Sequence, residues 1–122
     1  MKKKILIIED DEFLQGLAAT KLDKGGFEVS SASNGETGYK LLDTMKFDCI
    51  LLDLMLPDAN GMDILEKIRK EGAHKDTPVV IFSNLSDPEV MERGQKLGAA
   101  DFMVKSNFTL DEVVEKVTEL TS

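Results

Sequence analysis

Five short segments dominate the sequence. Residues 5–8, 49–52, 79–82 and 102–104 are apolar almost without interruption, and residues 27–32 form a weaker, alternating segment. Uninterrupted aliphatic runs of this length suit strands buried on both faces, as in a parallel sheet. Helical period occupies the stretches between them. Leu14, Leu17, Ala18 and Leu22 make one stripe, and Ile64, Leu65 and Ile68 a second. Leu110, Val113, Val114, Val117 and Leu120 make the clearest.

Local signals punctuate this alternation. Ser33 with Glu36, Ser86 with Glu89 and Thr109 with Glu112 have the spacing of a capping box. Phe108 and Val113 add the spacing of a hydrophobic staple to the last. Pro88 suits a first helical turn, and Gly25-Gly26 suits the end of the first helix. Strand then helix, five times over, predicts one α/β domain over residues 1–122. Parallel strands need crossover helices, and these are right-handed, so the expected fold is a doubly wound, flavodoxin-like (βα)5 sheet of strand order 2-1-3-4-5.

Composition narrows the function classes. With 42% hydrophobic and 31% charged residues, the 122-residue chain reads as one ordinary globular domain. Its net charge of -8 argues against direct binding to nucleic acid or an anionic membrane surface. The apolar run after Lys2-Lys3-Lys4 is too short for a signal peptide, and no stretch is long enough to span a membrane. Cys49 and His74 are the only residues of their kinds, so neither a disulfide nor a zinc site is expected. Cys49 reads as core and His74 as part of an exposed polar connection. These features favour the cytoplasm.

In a sheet of order 2-1-3-4-5, ligands bind beyond the carboxyl ends of the strands at the switch point. The first strand runs directly into Glu9, Asp10 and Asp11 in ILIIEDDE. The third ends at Asp53, the fourth at Ser83 and the fifth at Lys105. Taken singly, each also fits a plain structural role. Asp53 could cap the loop that follows, Ser83 could open a turn, and Lys105 could mark where a strand meets water. Asp11 is best read as the opening of the first helix. Together they gather at least three carboxylates, a hydroxyl and an ammonium in one crevice. Two carboxylates ~5 Å apart repel by roughly 3 kcal/mol at an effective dielectric of about 20. Lys105 supplies one counter-charge, and a hard divalent cation such as Mg2+ is the natural remainder.

The ordered set resembles the receiver domain of two-component response regulators over essentially the whole chain. The residues that carry the resemblance are Glu9 and Asp10 after ILII, Asp53 in ILLDLMLPDANG, Ser83 in VVIFSN and Lys105 in ADFMVKS. It implies that Asp53 accepts a phosphoryl group from a histidine kinase, a phosphotransfer protein or a small phosphodonor. Glu9 and Asp10 would hold Mg2+ with help from Asp53 and the backbone carbonyl of Met55, with Mn2+ or Ca2+ as stand-ins in a crystal. Lys105 would pair with the phosphoryl oxygens, Ser83 would hydrogen-bond one of them, and Phe102 would be the aromatic switch. Such a domain catalyses only its own phosphorylation and dephosphorylation. It would signal to a downstream protein or a fused output domain through the surface of the fourth helix, fifth strand and fifth helix, or by homodimerising. Both a stand-alone regulator and a piece of a longer one fit the sequence.

The sequence departs from the family pattern in places. Ser106 follows Lys105 where a proline with a cis bond is common, and Asn84 stands where a small residue is usual. Met55 and Leu85 are apolar at positions where polar groups could orient an attacking water, which implies a long-lived phosphoryl group. Two alternatives are a phosphorylation-independent scaffold of the same fold and a Mg2+-dependent aspartyl phosphohydrolase. The latter typically needs a second Asp where this chain has Met55. Met62, Met91 and Met103 read as core filling. The Gly94 to Gly98 spacing falls in or at the end of a helix, not in a phosphate loop.

Overall fold

The computed structural model describes residues 2–122. Ten elements alternate along it: β1 (Lys4–Ile8), α1 (Glu12–Lys24), β2 (Glu28–Ala32), α2 (Gly35–Thr44), β3 (Cys49–Leu52), α3 (Gly61–Lys70), β4 (Val79–Ser83), α4 (Pro88–Lys96), β5 (Asp101–Val104) and α5 (Leu110–Thr121). All strand pairs are parallel, and the sheet order is β2-β1-β3-β4-β5. The flavodoxin-like doubly wound architecture expected from the strand-helix alternation is the one observed.

The aliphatic runs explain this arrangement. Every residue of β3 and β4 is buried, as are residues 5–8 of β1, whereas the edge strands β2 and β5 are only partly covered. Because successive side chains point to opposite faces, each run feeds two cores. Leu6, Ile8, Ile50, Leu52, Val79 and Ile81 pack with Met62, Ile64, Leu65 and Ile68 of α3. Ile5, Ile7, Cys49, Leu51, Val80 and Phe82 pack on the other face with Ala18 and Leu22 of α1 and Val113 and Val117 of α5. Each large aliphatic side chain so buried contributes about 1.5–3 kcal/mol. The register pairs Ile8 with Leu52, Leu52 with Ile81 and Ser83 with Val104, which brings the strand ends to one edge of the sheet.

Several local expectations are met. Cys49 is core, its thiol pushed up to about 12 mainly by burial. Gly25 ends α1, Pro88 opens α4, and residues 94–98 lie at that helix's C-terminal end. Thr109 and Glu112 form a complete capping box at α5.

Others are corrected. Leu17 is 41% exposed, because α1 covers the sheet with Leu14, Ala18 and Leu22 and the Leu17 position is turned aside. Met62 and Met103 are core, but Met91 is exposed on α4. Asn34 rather than Ser33 caps α2, its side chain accepting from the Thr37 N–H at 2.8 Å. Ser33 instead accepts from Gln15 Nε2. Asp87, not Ser86, precedes α4, and its side chain makes no capping hydrogen bond. Phe108, at the staple position before α5, is 37% exposed. No helix among the described residues is long and apolar enough to cross a membrane.

His74 is the largest correction: it is buried, not exposed. In the connection from α3 to β4, His74 stacks on Phe47, just ahead of β3, with ring centroids 5.8 Å apart. Its Nε2 accepts the Phe47 backbone N–H at 3.1 Å. A buried N–H needs such a partner, and the residue type alone does not reveal which. Burial, and then the nearby Lys46 charge, hold the His74 pKa below its usual value. A depressed pKa contributes stability that is present above the unfolded value of 6.5 and is lost as pH falls through the folded value. Replacing His74 with Ala should cost about 1–3 kcal/mol by orphaning the Phe47 N–H. In urea titrations, the stability gap between wild type and that variant should narrow from pH 7.5 to about pH 5. A gap that is constant across this range would show that folding does not depress the His74 pKa.

Candidate functional site

The carboxyl end of the sheet places Glu9, Asp10, Asp53, Ser83 and Lys105 on four neighbouring strand ends. Ladder hydrogen bonds set their backbones: Glu9 N–H to Ala32 O at 2.9 Å, Asp53 N–H to Ile8 O at 2.9 Å and Lys105 N–H to Ser83 O at 3.0 Å. Lys105 is therefore held by the sheet although Ser106 follows it. Among the described residues no peptide bond is cis.

Glu9 and Asp53 are buried at 4% and 5% exposure, at the end of an otherwise apolar surface. The Lys105 ammonium bridges them, 2.6 Å from Glu9 Oε1 and 2.8 Å from Asp53 Oδ2. Each carboxylate spends its second oxygen on backbone. Glu9 Oε2 accepts from the Asp11 N–H at 3.0 Å, and Asp53 Oδ1 from the Met55 N–H at 3.1 Å. Asp10 is exposed, and among the described residues its carboxylate makes no ion pair. Asp11 caps α1 by accepting from the Leu14 N–H, the structural role expected of it.

One oxygen from each of Glu9, Asp10 and Asp53 lies within 4.8 Å of the other two. Hard oxygen donors, an excess of negative charge and one exposed member fit a divalent cation that keeps part of its water shell. Burial, reinforced by the Asp53 charge, raises the Glu9 pKa from 4.5 to about 7, against the pull of Lys105 and the Asp11 N–H. Burial opposes the charge on Lys105 as well, but its hydrogen bonds and charge pairing with Asp53 and Glu9 outweigh that and hold its pKa above the usual value.

Ser83 is fully buried, and its Oγ accepts from the Leu85 N–H at 3.3 Å. Phe102 is half-buried and packs on the core that includes Ile81. A side-chain atom at Gly94 of α4 would come within 3.4 Å of its ring. Asn84 is exposed, and the Met55 side chain is 57% exposed. Gln15 had no motif to mark it. Its Nε2 donates to Glu9 O at 2.8 Å and to Ser33 Oγ at 3.2 Å, so α1 buttresses the acidic turn from behind.

Removing the ammonium as Lys105→Met leaves two carboxylates buried without a counter-charge, a loss of about 3–5 kcal/mol for a broken buried pair. The sign follows from Glu9. Its folded pKa is raised above 4.5, so the folded state is favoured below that value and loses this contribution as pH rises through about 7. Without Lys105 the cost of ionisation grows. Denaturant melts should show Lys105→Met destabilised more at pH 8 than at pH 5.5. An equal loss at both values would refute this account of the cluster.

Comparisons with known proteins agree with this geometry. The sequence profile of the response regulator receiver domain matches residues 5–118. Curated relatives include "Probable transcriptional regulatory protein SilR" of Salmonella typhimurium, 41% identical over 96% of this chain and 50% of its own length. Transcriptional regulatory protein SrrA of Staphylococcus aureus is 36% identical over 98% of this chain and 48% of its own length. The chain thus spans about half the length of these relatives. Among solved structures, the non-phosphorylated HemR receiver domain from Leptospira biflexa superposes with a TM-score of 0.91 at 34% identity, covering 99% of this chain and 95% of its own. The BeF3-activated DrrB receiver domain superposes with a TM-score of 0.87 at 28% identity, covering 98% and 97%. DrrB is a Thermotoga maritima protein. The profile match over nearly the whole chain, and a sheet order that brings the acidic and basic strand ends together, make this chain a member of the response regulator receiver domain family of two-component systems.

Proposed function

We propose that Asp53 is the phosphoryl acceptor, receiving its group from the phosphohistidine of a histidine kinase or phosphotransfer protein, or from a small phosphodonor. The observation that carries this reading is the Lys105 ammonium lying 2.8 Å from a buried Asp53 beside two further carboxylates. An Asp53 carboxylate oxygen attacks phosphorus and forms an acyl phosphate. The P–N bond of phosphohistidine breaks, its electron pair stays on the imidazole nitrogen, and solvent supplies any proton that the ring takes up. Asp53 accepts this role with Oδ1 already oriented by the Met55 N–H. Lys105 then exchanges carboxylate oxygens for phosphoryl oxygens, since phosphoryl transfer depends chiefly on positioning and charge neutralisation.

Glu9, Asp10 and Asp53, with the Met55 carbonyl, are the residues that would hold Mg2+. Bound there, Mg2+ supplies neutralisation of the charge that accumulates on the phosphoryl oxygens. Family membership makes the chain a signalling domain rather than a conventional enzyme. Catalysis of its own phosphorylation and dephosphorylation belongs to the proposal.

Phosphorylation adds about -1.5 to -2 charges and strong acceptors at Asp53. The Ser83 hydroxyl, engaged with the Leu85 N–H, can rotate to donate to a phosphoryl oxygen, and Phe102 can fill space beside it. The α4–β5–α5 face then changes shape toward a downstream protein, an output domain or a second copy of the domain. A complete switch from 1:99 to 99:1 needs about 5.5 kcal/mol of differential stabilisation. The cytoplasm, the usual location of this family, is the compartment that belongs to this reading.

Incubation with acetyl phosphate and Mg2+ should yield one phosphoryl adduct by intact mass. Chelation of the metal and Asp53→Asn should each abolish it, and an adduct that persists in Asp53→Asn would exclude Asp53 as the acceptor. The exposed Met55 and the half-buried Leu85 offer no polar group to orient a hydrolytic water. The double substitution Met55→Asn, Leu85→Glu should therefore shorten the half-life of the adduct. A half-life no shorter than that of wild type would contradict this.

A further inference from the structure

The segment between Asp53 and α3 is tightly closed. Gly61 N–H donates to Leu54 O at 2.9 Å, and Met55 and Asn60 form an antiparallel bridge. A Cβ at Gly61 would collide with Asp53 O and lie 2.7 Å from Leu54 Cα, so only glycine permits this closure. Asn60 then caps α3 by accepting from the Met62 N–H at 2.9 Å. Residues 55–60 thus form a short loop whose two ends are fixed at the acidic site.

Asp58, in this loop, reaches across to α2. Its Oδ1 accepts the Gly35 N–H at 2.7 Å and its Oδ2 the Glu36 N–H at 3.0 Å. These are the first two helical N–H groups of α2, and Asn34 takes the third, that of Thr37. The approach is close: a Cβ at Gly35 would lie 2.8 Å from Ala59 Cβ. Asn34 caps the α2 N-terminus at Thr37, and Asp58 takes the two N–H groups that Asn34 leaves open. What Asp58 adds is a link from a helix embedded in the fold to the loop that begins at Asp53 and carries Met55.

We infer that Asp58 is a positioning residue for the metal site, a carboxylate tether that locks the residue 55–60 loop to the N-terminus of α2 and so sets Met55 beside Glu9, Asp10 and Asp53. This rests on the proposed Mg2+ site, and it extends that site to a residue that touches neither metal nor phosphoryl group. The tether is charge-assisted at both oxygens, since a carboxylate at a helix N-terminus meets both free N–H groups and the positive end of the helix dipole.

The test is titration with Mg2+ alone, followed by calorimetry and by the backbone amide shifts of Gly35, Glu36 and Met55. It is run at about 150 mM salt, where charges are screened beyond about 8 Å. Asp58→Ala should weaken Mg2+ binding about tenfold, the lower range for loss of a group that supports a metal ligand. Asp58→Asn, which retains one acceptor oxygen, should fall between it and wild type and guards against a folding defect in the alanine variant. Asn34→Ala removes the helix's own cap and should lower the melting temperature while leaving Mg2+ affinity near wild type. Asp58→Ala affinity within twofold of wild type would overturn the inference, as would an equal loss in Asn34→Ala. If wild type itself fails to bind Mg2+, the functional reading falls with it, an outcome distinct from the other two.

Discussion

Two carboxylates buried at the end of an apolar sheet are tolerable only with a cation between them. Lys105 is that cation, within hydrogen-bonding distance of both Glu9 and Asp53. The arrangement is balanced rather than optimised for stability. Burial alone pushes Glu9 toward protonation, and the ammonium only partly reverses this. A buried charge cluster of this kind contributes little net stability, because desolvation offsets most of the Coulombic gain. What it retains is responsiveness: any added charge at Asp53 or beside Asp10 changes which oxygens Lys105 should hold.

The fold delivers the cluster through backbone pairing. β1, β3 and β4 are aliphatic throughout, so burial fixes them in the interior of the sheet, and parallel register aligns their carboxyl ends. Lys105 follows directly on the edge strand β5, which is only partly covered. Phe102 on the same strand lies against Gly94 of α4. The strand that leads into the cation therefore also carries an aromatic ring that lies against that helix. Supports behind the site come from other elements: Gln15 of α1 holds the Glu9 carbonyl, and the α2 N-terminus holds Asp58.

Much of this was legible in the sequence because it depends on residue type and local spacing. Apolar runs marked the strands, and the first polar residue after each marked the site. Thr109 with Glu112 was readable as a cap because both partners lie within one helical turn. Readings failed where a neighbour distant in sequence decides. Ser33 had the right spacing for a cap, but Asn34 adopts the capping conformation and Ser33 meets Gln15 instead. Leu17 and Met91 belong to apolar patterns, yet the sheet covers only one face of each helix. His74 is polar in a polar connection, and its burial follows from stacking on Phe47 and accepting that residue's N–H, 27 positions away.

By itself, the sequence determined the class of fold and the chemical inventory at its carboxyl edge, because burial of aliphatic strands and the switch-point rule leave few other arrangements. Tertiary structure decided which groups touch. That Lys105 bridges Glu9 and Asp53 and not Asp10 depends on side-chain directions across three strands. That Asp58 reaches Gly35 and Glu36 depends on a loop folding onto a helix 22 to 23 residues away. Hydrogen bonds are short and directional, so such partners are chosen only once the packed backbone has brought donor and acceptor within about 3 Å.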